Sequence, residues 1–194
     1  VVVSTTRVGQ DAPVAYSSLT EKQLKGDNAA KNIPAIMQTL PSVVSYTEGG
    51  TAVGNTSFRI RGTDANRTNI TVNGVPLNDA ESHGTFFVNM PDFASSLSSI
   101  QVQRGVGTST NGAAAFGASI NMQTEGLNTK PYGEISSAVG SFNTNKNTLK
   151  AGTGLLSNGF AFDARVSNIT SDGYIDRASV NLKSYLFSAG YFND

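Results

Sequence analysis

The chain has 194 residues, with 14 basic and 14 acidic side chains, one histidine and no cysteine. The balanced charge gives no argument for nucleic acid, and the missing cysteines exclude disulfides, thiolate metal sites and cysteine catalysis while leaving the compartment open. Only 14% of residues are charged, 20 are glycine, and Ser, Thr and Asn abound, which suits a β-rich, turn-rich chain of one or two domains. No apolar run approaches the ~20 residues of a transmembrane helix, so the chain crosses a membrane as β-structure or not at all.

Val1-Val2-Val3 is a β-branched run that reads as a strand. No signal peptide precedes it, which we read as a processed or truncated form. Thr20 as N-cap with Gln23 three residues on makes a capping box, Leu19 and Leu24 make a hydrophobic staple, and Gly26 ends the helix. Asn32 caps a second short helix with Pro34 in its first turn, and Pro41 stops it. Its stripe of Ile36, Met37 and Leu40 is core, not a cofactor box. Val43–Tyr46 reads as a strand, and residues 47–55 as a flexible loop.

Arg59-Ile60-Arg61 reads as a short strand ending at Gly62, and Asn69–Val72 as a second, closed by the turn dipeptide Asn73-Gly74. Residues 78–87 form another long connection; loops of such length in a compact domain are functional or disordered. His83 with Asp79 and Glu81 offers three donors on one loop without a second His or a Cys, so no metal site is assigned. Asp79, Ser82 and His83 include triad residue types, yet sequence neighbours cannot adopt triad geometry without a scaffold, and no Gly-x-Ser-x-Gly elbow accompanies them. No catalytic residue or cofactor is expected, and the chain does not read as an enzyme. Ile100–Arg104 is a strand. Gly107 to Gly112 has the glycine spacing of a phosphate-binding loop, but Ala113-Ala114 stands where Lys-Ser/Thr is required, so nucleotide binding is rejected.

Two blocks in this order carry a resemblance. The first is Ile60-Arg61-Gly62 followed about ten residues later by Val72-Asn73-Gly74-Val75-Pro76-Leu77-Asn78-Asp79. The second runs from Ile100 through Arg104-Gly105 and a Gly/Ser-rich loop to a final strand ending at Thr124. Together they resemble the plug domain of TonB-dependent outer-membrane receptors. The resemblance implies an α+β plug over 1–128, a small mixed sheet with short helices whose first strand is the Val-rich segment before Thr6-Arg7. The opening antiparallel strands of a transmembrane β-barrel would follow over 129–194.

Composition changes near Asn128-Thr129-Lys130-Pro131. Beyond it, residues 133–140, 148–155, 160–169 and 180–192 are four segments close to the ~9–11 residues of a tilted transmembrane strand. A tight turn at Ser157-Asn158-Gly159 and a longer loop over 171–177 match the short and long connections of outer-membrane barrels. In the third segment Phe160, Phe162, Ala164 and Val166 share one face, opposite Asp163, Arg165 and Ser167. In the fourth, Leu182 and Leu186 oppose Tyr185, Phe187 and Tyr191, and the orientation stays open. Alternation alone suits a soluble β-sandwich as well as a barrel; the plug motifs favour the barrel. Four strands leave open edges, whereas plugged barrels have about 22, which implies a longer receptor.

The resemblance further implies active transport of a scarce solute, with TonB supplying force through a box upstream of Val1 and outer-membrane lipid around the barrel. Plug loops facing the outer vestibule would meet a small-molecule ligand through Glu48, Asn55, Asn78, Glu81, His83, Phe86 and Phe87. Arg59, Arg61 and Arg104 would contact acidic residues on the barrel wall. A ferric siderophore or other iron complex is favoured on family frequency; cobalamin, haem and oligosaccharide are the alternatives. These loop residues include no cationic cluster that would single out an anionic siderophore. A signalling or binding module without transport, and a soluble β-rich protein, are the other function classes.

Overall fold

The computed structural model describes residues 7–9, 13–106 and 115–192. The expected strand at Val1–Val3 and the loop from Gly107 to Gly112 lie outside them.

The N-terminal body is built on a five-stranded mixed sheet. Strand β1 (Tyr16–Thr20) leads into helix α1 (Glu21–Asp27), whose capping box is present: the Thr20 N–H donates to Gln23 Oε1 at 2.9 Å. Leu19 and Leu24, the expected staple, are both buried. Helix α2 (Ile33–Met37) follows its Asn32 cap, with Pro34 in the first turn and Ile36, Met37 and Leu40 buried. Strand β1 itself escapes the sequence reading. Its Tyr-Ser-Ser-Leu-Thr is half polar because only Leu19 is buried, while its backbone pairs with β7.

A separate three-stranded sheet carries the Ile60-Arg61-Gly62 half of the first motif. Strands β2 (Val43–Thr47) and β3 (Thr56–Ile60) are antiparallel, and β3 turns back at once into β4 (Thr63–Asp64). The expected strand over 59–61 therefore ends one residue early. Arg61 (φ +51°) and Gly62 (φ +77°) are both left-handed, as a two-residue hairpin of matching twist requires. Asn73 and Gly74 make a second such turn between β5 (Thr68–Val72) and β6 (Val75–Pro76). Strands β7 (Leu97–Arg104) and β8 (Ala118–Thr124) complete the large sheet, in the order β1-β7-β8-β5-β6 with β5 and β8 parallel. Ile70, Ile100, Val102, Ile120 and Met122 from this sheet meet Leu24, Ile36, Met37, Phe58 and Ile60 in one core. Full burial of each such side chain is worth about 1.5–3 kcal/mol.

The C-terminal part is a four-stranded antiparallel sheet: β9 (Tyr132–Gly140), β10 (Thr144–Leu155), β11 (Phe160–Ser171) and β12 (Val180–Tyr191). All four expected segments form, but β10 begins four residues before the expected start, at Thr144. Its opening Thr-Asn-Lys-Asn reads as loop in isolation, yet Asn145 through Thr148 pair on both sides with β9 and β11. The alternation expected in β11 is present: Ala161, Arg165, Ser167, Ile169 and Ser171 are buried, and Phe160, Ala164 and Val166 are exposed. The register settles β12. Tyr185, Phe187 and Tyr191 turn outward beside Val166, Ala164 and Phe160, while Val180 and Leu182 turn inward. These two pack with Ile169 on Ala30 and Val53 of the N-terminal body.

The outer face is the apolar one. Ile135, Val139, Leu149, Val166, Tyr185 and Phe187 are exposed on it, and Phe160 lies 5.0 Å from Tyr191 between ring centroids. A soluble sandwich would bury such a face; a barrel wall turns it to lipid and keeps its polar face inside. From Phe160 to Val166 the belt runs about 20 Å along the strand. Beyond it the same face turns polar through Asn168, Thr170, Asn181 and Lys183. No helix among the described residues is long and apolar enough to cross a membrane.

Candidate functional site

The seam between the N-terminal body and the inner face of the strand sheet holds the buried charged side chains found among the described residues, Asp92, Lys146, Lys150 and Arg165. At its centre Asp92 sits in a left-handed conformation (φ +53°) at the head of the short helical turn 93–96. Its side chain is fully buried, as are those of its two cationic partners. Lys146 Nζ lies 2.6 Å from Oδ1, and Arg165 Nη1 lies 3.1 Å from Oδ2 and donates to the Asp92 carbonyl at 2.6 Å. Thr148 donates to Oδ2 at 2.7 Å, and Asn28 to Oδ1 at 3.2 Å. Ser95 also donates to Oδ1.

Burial pushes the Asp92 carboxyl up. The charge of Lys146 and the hydrogen bonds from Lys146, Ser95 and Thr148 outweigh it and hold the group below its ordinary value. Lys146 further donates to the Asn28 carbonyl at 3.1 Å, so helix α1's end, the 93–96 turn and strands β10 and β11 meet at one carboxylate.

One register step away, Lys150 stands directly opposite Arg165 across the β10–β11 ladder. Like charges in that position repel. The N-terminal body supplies the compensation, with Glu125 at 2.9 Å from Lys150 and Asp92 beside Arg165. A cavity of about 210 Å³ opens between them, lined by Ser96, Glu125, Tyr132, Lys150, Asp163 and Arg165 among others. A third contact joins the outer loops. The Tyr174 N–H, in the connection 172–179, donates to the Gly49 carbonyl at 2.9 Å. Gly50 (φ +70°) packs so closely that a Cβ there would fall 2.8 Å from that of Tyr174.

The residues expected to touch a ligand form two local groups. Glu48 and Asn55 are exposed and bonded to each other across the neck of their loop at 3.0 Å. Asn78 is a brace for its own loop: its amide donates to the Thr68 and His83 carbonyls, and its oxygen accepts from the Ile70 N–H. Asp79 caps the same turn, and its carboxyl is held below its ordinary value, first by the Ser82 N–H and then by the Ser82 hydroxyl. Glu81, His83 and Phe86 are exposed. Phe87 requires a correction. It is 2% exposed and packs edge-on to Phe58 at 6.0 Å, so it belongs to the core and has no face for a ligand.

The three arginines also resolve differently from one another. Arg59 pairs at 3.0 Å with Asp64 on the adjoining strand, both half exposed. Arg104 donates to Ser17 at 2.7 Å and reaches the Tyr16 carbonyl, bracing β1. Arg61 is exposed with its guanidinium over Gly105, which brings the Ile-Arg-Gly and Arg-Gly motifs side by side. The charge pairs at Asp92 and Glu125 have the opposite polarity to the expected one, acids on the N-terminal body and bases on the wall, whereas the half-exposed Lys25–Glu134 contact at 3.8 Å has the expected one. The sequence alone does not show these pairs: a strand beginning at Thr148 leaves Lys146 in a loop, and nothing local pairs Lys150 or Arg165 with an acid of the N-terminal body. The alternation of Lys146, Thr148 and Lys150 was the available signal.

Residues 9–119, more than half of the chain, match the model of the TonB-dependent Receptor Plug Domain family. The vitamin B12 transporter BtuB of Vibrio vulnificus is 30% identical over 127 residues, 64% of this chain and 20% of that protein. The pyoverdine outer membrane receptor FpvA of Pseudomonas aeruginosa has a TM-score of 0.74 at 15% identity, over 97% of this chain and 27% of that one. The ferric yersiniabactin uptake receptor FyuA of Yersinia pestis has a TM-score of 0.68 at 15% identity, over 95% and 29%. At these identities the solved structures speak to the fold, and they match it through both the N-terminal body and the strand sheet. The chain thus spans about a fifth of the B12 transporter's length and under a third of these two receptors' chains. With plug motifs, plug fold and a wall whose outer face carries an exposed apolar belt, the chain belongs to the TonB-dependent receptors of the outer membrane.

Proposed function

We propose that the chain is the plug and the opening wall strands, divided near residue 128, of a longer receptor that actively transports a scarce solute across the outer membrane. The observation that carries this reading is the seam. A folded body is held against a lipid-facing wall by a few buried charge pairs and hydrogen bonds, chiefly at Asp92, with only a small apolar contact at Ile169. Such an interface holds at rest, yet shears under an applied force more readily than a continuous hydrophobic core would. TonB is the proposed source of that force.

The proposed solute is a ferric siderophore or other iron complex, in keeping with the ferric-chelate receptors among the structural neighbours. Cobalamin is the second reading, supported by the relative named for vitamin B12. The exposed Glu48, Asn55, Glu81, His83 and Phe86 remain the proposed plug-side contacts. The test is accumulation of radiolabelled ferric chelates and cobalamin by cells carrying the complete receptor, with and without TonB. Uptake of one solute that disappears without TonB is the expected result; accumulation unchanged when the receptor gene is deleted would refute the reading.

A further inference from the structure

Asp92 is held from the wall in the manner of a bound carboxylate ligand. Lys146 takes one oxygen at 2.6 Å; Thr148 at 2.7 Å and Arg165 at 3.1 Å take the other. All three wall residues are no more than 5% exposed. They lie on the inner faces of two strands whose ladder fixes their spacing independently of the plug: Thr148 faces Ser167, and Lys150 faces Arg165. A second observation points the same way. Arg165 Nε is buried and has no hydrogen-bond partner, and Arg165 is among the residues lining the 210 Å³ cavity, so the guanidinium keeps an unused donor beside a space large enough for more than water.

We propose that Lys146, Thr148 and Arg165 form a carboxylate-binding subsite on the inner wall. Asp92 occupies it while the plug is in place, and a carboxylate of the passing solute occupies it when the plug has moved. The inference rests on the transporter reading and deepens it by naming the class of group carried. Two acidic wall residues lie nearby without filling the subsite. Asp163 accepts from the Asn128 N–H at 3.3 Å, and Glu134, opposite Lys150, approaches Lys25 at 3.8 Å. Removal of Asp92 therefore leaves Lys146 and Arg165 without their counter-ion. A planar two-oxygen acceptor matches the arrangement of donors already in use.

Chemical rescue tests this directly. Asp92→Gly in the complete receptor suits the left-handed backbone at that position and deletes a CH₂–COO⁻ group that acetate reproduces. In vesicles, sodium acetate is expected to raise the thermal midpoint of D92G by several degrees over sodium chloride at equal ionic strength and to reduce its leak of small solutes. Acetamide should do neither. Acetate no better than chloride or acetamide overturns the subsite. Asp92→Asn keeps the side-chain shape and provides a second readout should D92G fail to fold. Its leak current under a KCl gradient should favour anions and lose that preference when Lys146→Gln and Arg165→Gln are added. A cation preference in D92N overturns the proposal. Rescue by acetate in a receptor whose wild type shows no energised uptake would instead refute the transporter reading and with it the subsite's role in passage.

Discussion

Replacing Asp92 by alanine leaves Lys146 and Arg165 buried without the carboxylate that both engage, and strips Thr148 of its acceptor. Breaking a buried ion pair from one side costs about 3–5 kcal/mol, because the uncompensated charge remains in place. At about 1.4 kcal/mol per tenfold change, the unlatched population of plug should rise by roughly two to four orders of magnitude. Arg59→Ala is the internal control. Its pair with Asp64 is about as short but more than half exposed on both sides, which puts its worth at about 0.2–1 kcal/mol.

Amide exchange in the complete receptor, read over residues 28–32 and 93–98, should report the first loss and be almost blind to the second. Acid supplies the same perturbation without mutation. The Asp92 carboxyl titrates below its ordinary value in the folded protein, so its contribution is fully present above about pH 4, the unfolded value. It is lost as the pH falls through the lower folded value. The wild type should therefore show acid-induced plug opening that D92A lacks. If D92A and R59A exchange alike, or if acid opens both receptors at the same pH, the seam is not held at Asp92.

Ala164→Arg, near the middle of the outer apolar belt, should cost about 2–4 kcal/mol in urea unfolding from lipid; a near-neutral result would contradict a lipid-facing assignment of that face. Phe58→Ala removes one ring of the Phe58–Phe87 pair from a site 2% exposed and should cost about 3–5 kcal/mol in plug stability, measured by calorimetry. Thr20→Ala breaks the capping box of α1 and should cost about 1 kcal/mol, visible as faster exchange in residues 21–24. Gly152→Val would drive its side chain into the Asp163 carboxylate and the Tyr132 ring. It should lower the yield of folded receptor in a heat-modifiability gel, and normal yield would show that the inner wall yields there.

Most of the local architecture was legible in the sequence because its signals are short-range. A capping box, a staple, a Pro in a first turn and an Asn-Gly turn each act over a few residues, so Thr20, Leu24, Pro34 and Asn73 could be placed from the chain alone. The plug motifs and the period-two alternation of β11 likewise lie in contiguous residues. What the tertiary structure decided is long-range. The outward turn of β12 is set by its register on β11 and by Val180 and Leu182 packing on Ala30 and Val53. Phe87, in a loop by sequence, is core because Phe58 lies across from it. Lys146 is separated from Asp92 by 54 positions and Arg165 by 73, and no local propensity favours burying any of the three. Charge enters an interior only when its counter-charge arrives with it. That pairing is a property of two surfaces brought together, and the chain specifies it through the fold of each.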